Sequence, residues 1–320
     1  MPLINSSTYR PVPLLFNGHL ETVVPSMFRK VENVQYQRER LELNDGDFLD
    51  LDWLGGSHTR LVIISHGLEG SSHRHYCMGM ARYFFQQKWD ALAWNCRSCS
   101  GEMNRLPRFY HHGATEDLQA VVNHALGRGY TTIALVGFSM GGSLSLKYAG
   151  EQSEKLPAAI KAIATFSVPC DLGSSAEELD KPANWFYRNR FLKKLEKKIR
   201  AKSVLFPEQI DANHFQRIRT FQDFDNLYTA PLHHFKNAAD FYAKASAKKY
   251  LSAIEIPTLI VNAENDPFLP ADCYPTDIAA PHANIFLEIP HRGGHVGFSL
   301  SNSRENWMEL RALEFVHQFC

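Results

Sequence analysis

The chain reads as an α/β protein, a mostly parallel sheet flanked by helices and interrupted once by a helical insertion. Three observations predict it. Short apolar runs recur along the chain, each followed by turn residues and a stretch of helical spacing, the pattern of strand–helix crossovers. One of these runs passes directly into Gly137-Phe138-Ser139-Met140-Gly141 and from there into a helical pattern. Between Ser167 and Thr258, by contrast, no strand is legible, although the segment is rich in aromatic and basic residues.

Taken in chain order, residues 39–43 and Phe48–Leu54 flank Asn44-Asp45-Gly46-Asp47, a hairpin signal that predicts two antiparallel strands at one edge of the sheet. Residues 61–65, 91–95, 132–137, 162–167, 258–263 and 285–289 read as buried strands, for eight in all. Residues 76–88, 115–128 and 141–152 have the spacing of crossover helices. A last helix over 303–319 carries Trp307, Leu310, Leu313, Val316 and Phe319 on one face. A structureless loop as long as the strandless stretch does not suit a compact domain. Residues 168–252 are therefore expected to form a helical cap over the sheet's carboxyl edge, dividing the core into residues 1–167 and 253–320.

Composition narrows the function. With 44% hydrophobic and 21% charged residues over 320 positions, the chain is globular rather than disordered. No apolar run is longer than those at 61–64 and 133–136, whereas a bilayer crossing needs about 20 such residues, so no transmembrane segment is expected. The amino terminus lacks the basic start and long apolar stretch of a secretory signal. Thirty-four basic residues balance thirty-four acidic ones, which argues against a nucleic-acid binder held by phosphate neutralisation. Six irregularly spaced cysteines do not suggest a disulfide framework, and reduced thiols in a cytoplasmic protein are the expectation.

The sharpest chemical signal is Gly137-x-Ser139-x-Gly141 between strand and helix, the context of a nucleophile elbow. A serine held there needs a base to take its proton and a carboxylate to orient that base, in the chain order Ser, Asp, His. Asp266 follows the strand at 258–263, and His295 follows the last strand with glycines on both sides. Their rivals are Glu264 and Asp171 for the acid and His291 for the base; His291 lacks the close glycine framing, and Asp171 suits the opening of the cap. The loop His66-Gly67-Leu68-Glu69-Gly70 follows an earlier strand in the position that supplies an oxyanion hole, which nominates the backbone N–H groups of Leu68 and Met140. Glu69 reads as a structural or rim residue.

Three weaker patterns stand beside these. Cys96-x-x-Cys99 has no second ligand pair for a metal and no thioredoxin-like context for redox work, so neither metal nor cofactor is expected. His112 and Asp117 form a short H-x-x-x-x-D pattern of the kind found in acyltransferases, although Thr115 and Asp117 suit a helix start. Residues 188–202 hold eight basic side chains against Glu196, with Phe191, Leu192, Leu195 and Ile199 as an apolar stripe. This is a solvated cap helix or, alternatively, a contact for an anionic substrate or lipid surface.

With these residues placed, the sequence resembles the YheT-like branch of the α/β-hydrolase fold. Phe16-Asn17-Gly18-His19-Leu20-Glu21-Thr22 is similar to that family's N-G-H-L-Q-T start, and His66 to Ser71 to its H-G-L-E-G-S loop. Asn95 to Glu102 resembles its R-G-C-S-G-E segment with Ser98 in place of a glycine. Further matches are Tyr110 to Leu118, similar to Y-H-S-G-E-T-E-D-L, and Phe224-Asp225 through Thr229-Ala230-Pro231, similar to F-D-x-x-x-T-A-P. The resemblance implies an esterase-like serine hydrolase of small-molecule carboxylic esters, with Ser139, Asp266 and His295 at the family's triad positions. Eukaryotic relatives act on lipid esters and usually carry an amino-terminal membrane anchor; none is read in this sequence, which argues against a membrane-bound lipase role and leaves peripheral lipid contact as an open alternative. Acyl transfer through the same residues, or a catalytically silent ligand-binding fold, are the alternative readings.

Overall fold

The computed structural model describes residues 3–320. Its strands are β1 (Leu3–Ile4), β2 (Gln37–Glu42), β3 (Phe48–Leu54), β4 (Arg60–Ser65), β5 (Asp90–Asn95), β6 (Thr132–Phe138), β7 (Ile160–Phe166), β8 (Thr258–Val261) and β9 (Ile285–Glu288). They form one sheet in the order β1-β9-β8-β7-β6-β4-β5-β3-β2. The helices are α1 (Gly18–Phe28), α2 (His75–Gln86), α3 (Thr115–Gly127), α4 (Met140–Gln152), α5 (Leu172–Asp180), α6 (Trp185–Leu205), α7 (Phe221–Phe224), α8 (Ala230–Leu232), α9 (Ala238–Ala245), α10 (Thr276–Ala279) and α11 (Trp307–Val316).

The hairpin of β2 and β3 is antiparallel and β3 meets β5 antiparallel, while every other pairing is parallel. Gly46 supplies the left-handed turn of that hairpin, at φ 83°. Along the central strands, alternate residues serve opposite faces. Leu61 and Ile63 join one buried cluster with Ile133, Leu135 and the inner sides of α3 and α4; Val62 and Ile64 join the other, with Ala134, Val136 and the inner sides of α2 and α11. Both faces are covered, which is why these strands read as unbroken apolar runs rather than alternating ones. Among the described residues no helix is long and apolar enough to cross a membrane.

The structure departs from the sequence expectation in three places. The sheet has nine strands rather than eight, because Leu3–Ile4 adds beside β9. Helix α1 was not legible: Pro25 and β-branched residues lie within it, and its start depends on the Asn17 side chain accepting from the Leu20 N–H at 2.9 Å. The closing helix is shorter than 303–319, since Asn306 caps it and Glu309 returns to the Asn306 N–H in a capping box.

Between β7 and β8 the chain is helical and strandless. Its own core gathers Leu192, Leu195, Ile199, Phe215, Phe221, Phe224 and Tyr228, and Leu68 and Phe109 from the sheet's loops pack against it. This is the apolar content that made the stretch unsuitable as a loop.

Candidate active site

Strand β6 ends at Phe138, and α4 begins at Met140, so Ser139 carries the whole change of direction. Its backbone sits at φ 51°, ψ −118°, a region that costs a non-glycine residue about 1–3 kcal/mol. The glycines on either side explain how so tight a turn packs. A Cβ on Gly137 would strike the Gly141 carbonyl, and one on Gly141 would strike the Ser65 carbonyl. The strain is thus held in place by neighbouring backbone, and the hydroxyl stands at the start of α4.

The structure brings Ser139, His295 and Asp266 into one hydrogen-bonded chain. His295 Nε2 lies 2.9 Å from Ser139 Oγ, and His295 Nδ1 lies 2.9 Å from Asp266 Oδ2. The Asp266 carboxylate is buried and also accepts from the Phe268 N–H at 2.9 Å. An ionised carboxylate only accepts, so Nδ1 carries the ring proton and Nε2 is left to accept from the serine hydroxyl. The imidazole is further fixed by the Phe268 ring, 4.1 Å away between centroids, and the backbone N–H of His295 donates to Thr22 Oγ1 at 2.8 Å.

The rival residues lie elsewhere. His291 is solvent-exposed and its Nδ1 meets Glu264 at 2.6 Å in a surface pair. Asp171 caps α5 by accepting from the Ser174 N–H at 2.9 Å. Of the H-x-x-x-x-D pattern, Asp117 is spent in a buried pair with Arg97 at 2.8 Å, while His112 lines a cavity beside Ser139. Cys96 and Cys99 are both free, and burial pushes both thiols up. No group of three or more His, Cys, Asp or Glu among the described residues is arranged to hold a metal ion.

The loop after β4 is satisfied almost everywhere. Gly67 N–H donates to the Tyr76 hydroxyl at 3.2 Å, Glu69 N–H to the Tyr110 hydroxyl at 2.9 Å, and Gly70 N–H to the Gly67 carbonyl at 2.9 Å. Among the described residues no acceptor meets the Leu68 N–H, and Met140, as the first residue of α4, has its N–H outside the helix ladder. His66, fully buried, pins the loop from beneath: it accepts from the Cys96 N–H at Nε2, 3.1 Å away, and donates from Nδ1 to the Gly67 carbonyl at 2.8 Å.

Sequence reasoning assigned no role to the side chains of α1, which brace the site. Glu21, buried, accepts from the Asn265 side chain at 2.7 Å and the Gly293 N–H at 3.0 Å, and pairs with Arg292 at 3.1 Å. One carboxylate therefore ties together the loops carrying Asp266 and His295. The N-G-H-L-E-T segment held this information only as a pattern, because its contacts are long-range.

Two cavities meet at Ser139. The first, partly open to solvent, runs under the helical insertion, with Leu172, Leu195, Ile199, Phe221, Phe224 and Leu232 in its apolar wall. Its wall also holds His111, His112, His233 and Asp225; burial lowers the imidazoles to about 3, 4 and 2 and raises the carboxyl to about 6. The second shares Leu68, Ser139, Phe191, Phe268 and His295 with the first and extends between α1, α2 and α6.

A strained serine at a strand–helix turn, with an imidazole and a carboxylate delivered by later loops at the sheet's carboxyl edge, is an arrangement that defines a class. The chain belongs to the α/β hydrolases: the family described as "alpha/beta hydrolase fold" matches residues 60–300. Within that class it falls in the YheT-like branch. It is 31% identical to the "Putative esterase YheT" of Escherichia coli (strain K12), over 98% of this chain and 94% of the relative. It is also 30% identical to the "Phospholipase ABHD3" of Mus musculus, over 92% of this chain and 74% of that one. Among solved structures, the Pyrococcus furiosus esterase PF2001 shares the fold at a TM-score of 0.59 and 15% identity, covering 91% of this chain and 96% of its own.

Proposed function

We propose that this chain hydrolyses carboxylic esters through an acyl-enzyme, with Ser139 as nucleophile, His295 as the base and acid, and Asp266 as the group that holds the imidazole. The observation that carries the reading is the unbroken hydrogen-bonded chain from Ser139 through His295 to Asp266, at the junction of two cavities. The names of its relatives, among them a yeast "Monoacylglycerol lipase", support the same class of chemistry.

In this mechanism Ser139 Oγ attacks the ester carbonyl as its proton passes to His295 Nε2. The carboxylate of Asp266 stabilises the resulting imidazolium. Negative charge gathers on the former carbonyl oxygen, where the N–H groups of Leu68 and Met140, which meet no competing acceptor among the described residues, are free to donate. Collapse of the adduct expels the alcohol, which takes the proton back from His295, and water repeats the sequence on the acyl-serine. Residues 168–252 act as the cap, and their apolar cavity takes the acyl chain.

The test is turnover of p-nitrophenyl butyrate and octanoate by the natural protein and by Ser139→Ala, together with labelling by a fluorophosphonate. Loss of both turnover and labelling in the variant is expected. Full turnover without Ser139, or a folded natural protein that the probe does not label, would refute the proposal.

A further inference from the structure

The two cavities that meet at Ser139 differ in character. The first has an apolar wall. The second is lined by Arg74, Arg190 and Lys194, with Glu69 as its acid. Glu69 is already engaged: its carboxylate pairs with Lys198 at 2.8 Å and accepts from the Tyr110 hydroxyl at 2.6 Å. The three cations of the chamber find only neutral partners among the described residues. Arg74 reaches the Ser26 hydroxyl at 3.3 Å, and Lys194 reaches the Glu69 carbonyl at 3.1 Å. Arg190 stands exposed at the rim.

Glu69, shared with Lys198, only partly offsets the three like charges around the chamber, which repel one another. Burial, followed by the charge of Arg74, lowers the Lys194 ammonium from its ordinary value. An anion in the chamber would relieve that repulsion and gain charge-assisted hydrogen bonds, and guanidinium groups suit the oxygens of a phosphate or carboxylate. With the acyl chain in the apolar cavity, as proposed above, the alcohol portion of an ester held at Ser139 is left to the second chamber.

We propose that the second chamber is a leaving-group site for an alcohol bearing an anionic oxygen group such as a phosphate. The preferred substrates are then esters with an apolar acyl chain and a negatively charged alcohol. This assignment rests on the ester-hydrolase reading above. It also gives a role to the basic face of α6, whose Lys194 turns into the chamber while Leu192, Leu195 and Ile199 are buried on the apolar side.

The experiment compares 1-octanoylglycerol with 1-octanoylglycerol 3-phosphate, which differ only in the charged group. Calorimetric binding to full-length Ser139→Ala protein removes turnover from the comparison. The phosphate-bearing ester should bind about tenfold or more tightly, the size expected for charge-assisted contacts, and the ratio should fall toward one in Arg74→Gln/Lys194→Gln. Inorganic phosphate alone forms a separate arm. Equal affinity for the two esters, a ratio that survives the double substitution, or binding of inorganic phosphate with no preference between the esters would overturn the assignment. Octanoate release by the natural protein separates the two readings. Preference in binding without release would fall on the hydrolase reading, and release from both esters at equal kcat/KM would fall on the anionic leaving group.

Discussion

Replacing Asp266 by Asn changes one atom and leaves the volume intact, yet the hydrogen bonds around it dictate a large loss of turnover. Asp266 Oδ1 accepts from the Phe268 N–H at 2.9 Å, so the amide of an asparagine keeps its oxygen there. The amide nitrogen then faces His295 Nδ1, where the carboxylate had accepted at 2.9 Å. Two donors then oppose each other and Nδ1 keeps only its longer 3.1 Å contact to the Oδ1 position, so the proton is driven to Nε2, from which the imidazole donates to Ser139 instead of accepting from it. Turning the amide around restores the base but sets its NH₂ against the buried Phe268 N–H, at a cost of about 1–3 kcal/mol. The substitution also removes the charge that stabilises the imidazolium, about 4 kcal/mol for charges roughly 4 Å apart at an effective dielectric near 20. Together these give about 5–7 kcal/mol, or a loss of roughly 10⁴- to 10⁵-fold in kcat. The assay is kcat and KM on p-nitrophenyl butyrate, with a thermal melt to verify the fold. An Asp266→Asn variant with an intact melt and a kcat within tenfold of the natural protein would refute both the tautomer argument and the role of Asp266.

Two further perturbations test the surroundings. Glu21→Ala removes the carboxylate that joins Asn265, Gly293 and Arg292, and is expected to cost about 2–4 kcal/mol of stability while lowering kcat through the two loops it braces; an unchanged melting temperature and unchanged kcat would refute that bracing role. Asp225, its carboxyl raised to about 6 by burial, holds its proton more tightly folded than unfolded, so its contribution to stability is present at low pH and lost as pH rises from about 4 to about 6. Asp225→Asn should therefore raise stability at pH 7.5 by about 2 kcal/mol more than at pH 4.5. Denaturant melts showing the same increment at both pH values would contradict the buried-carboxyl account.

The parallel core was legible because its signals are local. Apolar runs such as 61–64 and 133–136 bury on both faces, and Asn44-Asp45-Gly46 turns a hairpin whatever surrounds it. Where local and long-range causes separate, legibility ended. The two-residue β1 exists only because β9 is there to pair with it, and α1 runs through Pro25 under the control of contacts to Asn265 and Gly293. Two of the chamber's cations, Arg190 and Lys194, lay in the sequence within the basic run over 188–202, whereas Arg74 lay outside it. Nothing in that run distinguished Lys198, which is paired to Glu69, from Lys194, which has no acid partner among the described residues.

By itself, then, the order of residues determined the layers of the fold, the tight turn at Ser139 with glycines where a Cβ would collide, and a short list of acids and histidines that later loops could offer. Only the packed chain decided that, of fifteen histidines, His295 is the one within 2.9 Å of Ser139. Only it decided, too, that an apolar and a cationic cavity meet at that hydroxyl. The physical reason is range: periodicity and turn chemistry act over a few neighbouring residues, whereas the contact between positions 139 and 295 is set by strand order and by helices packed from the far end of the chain.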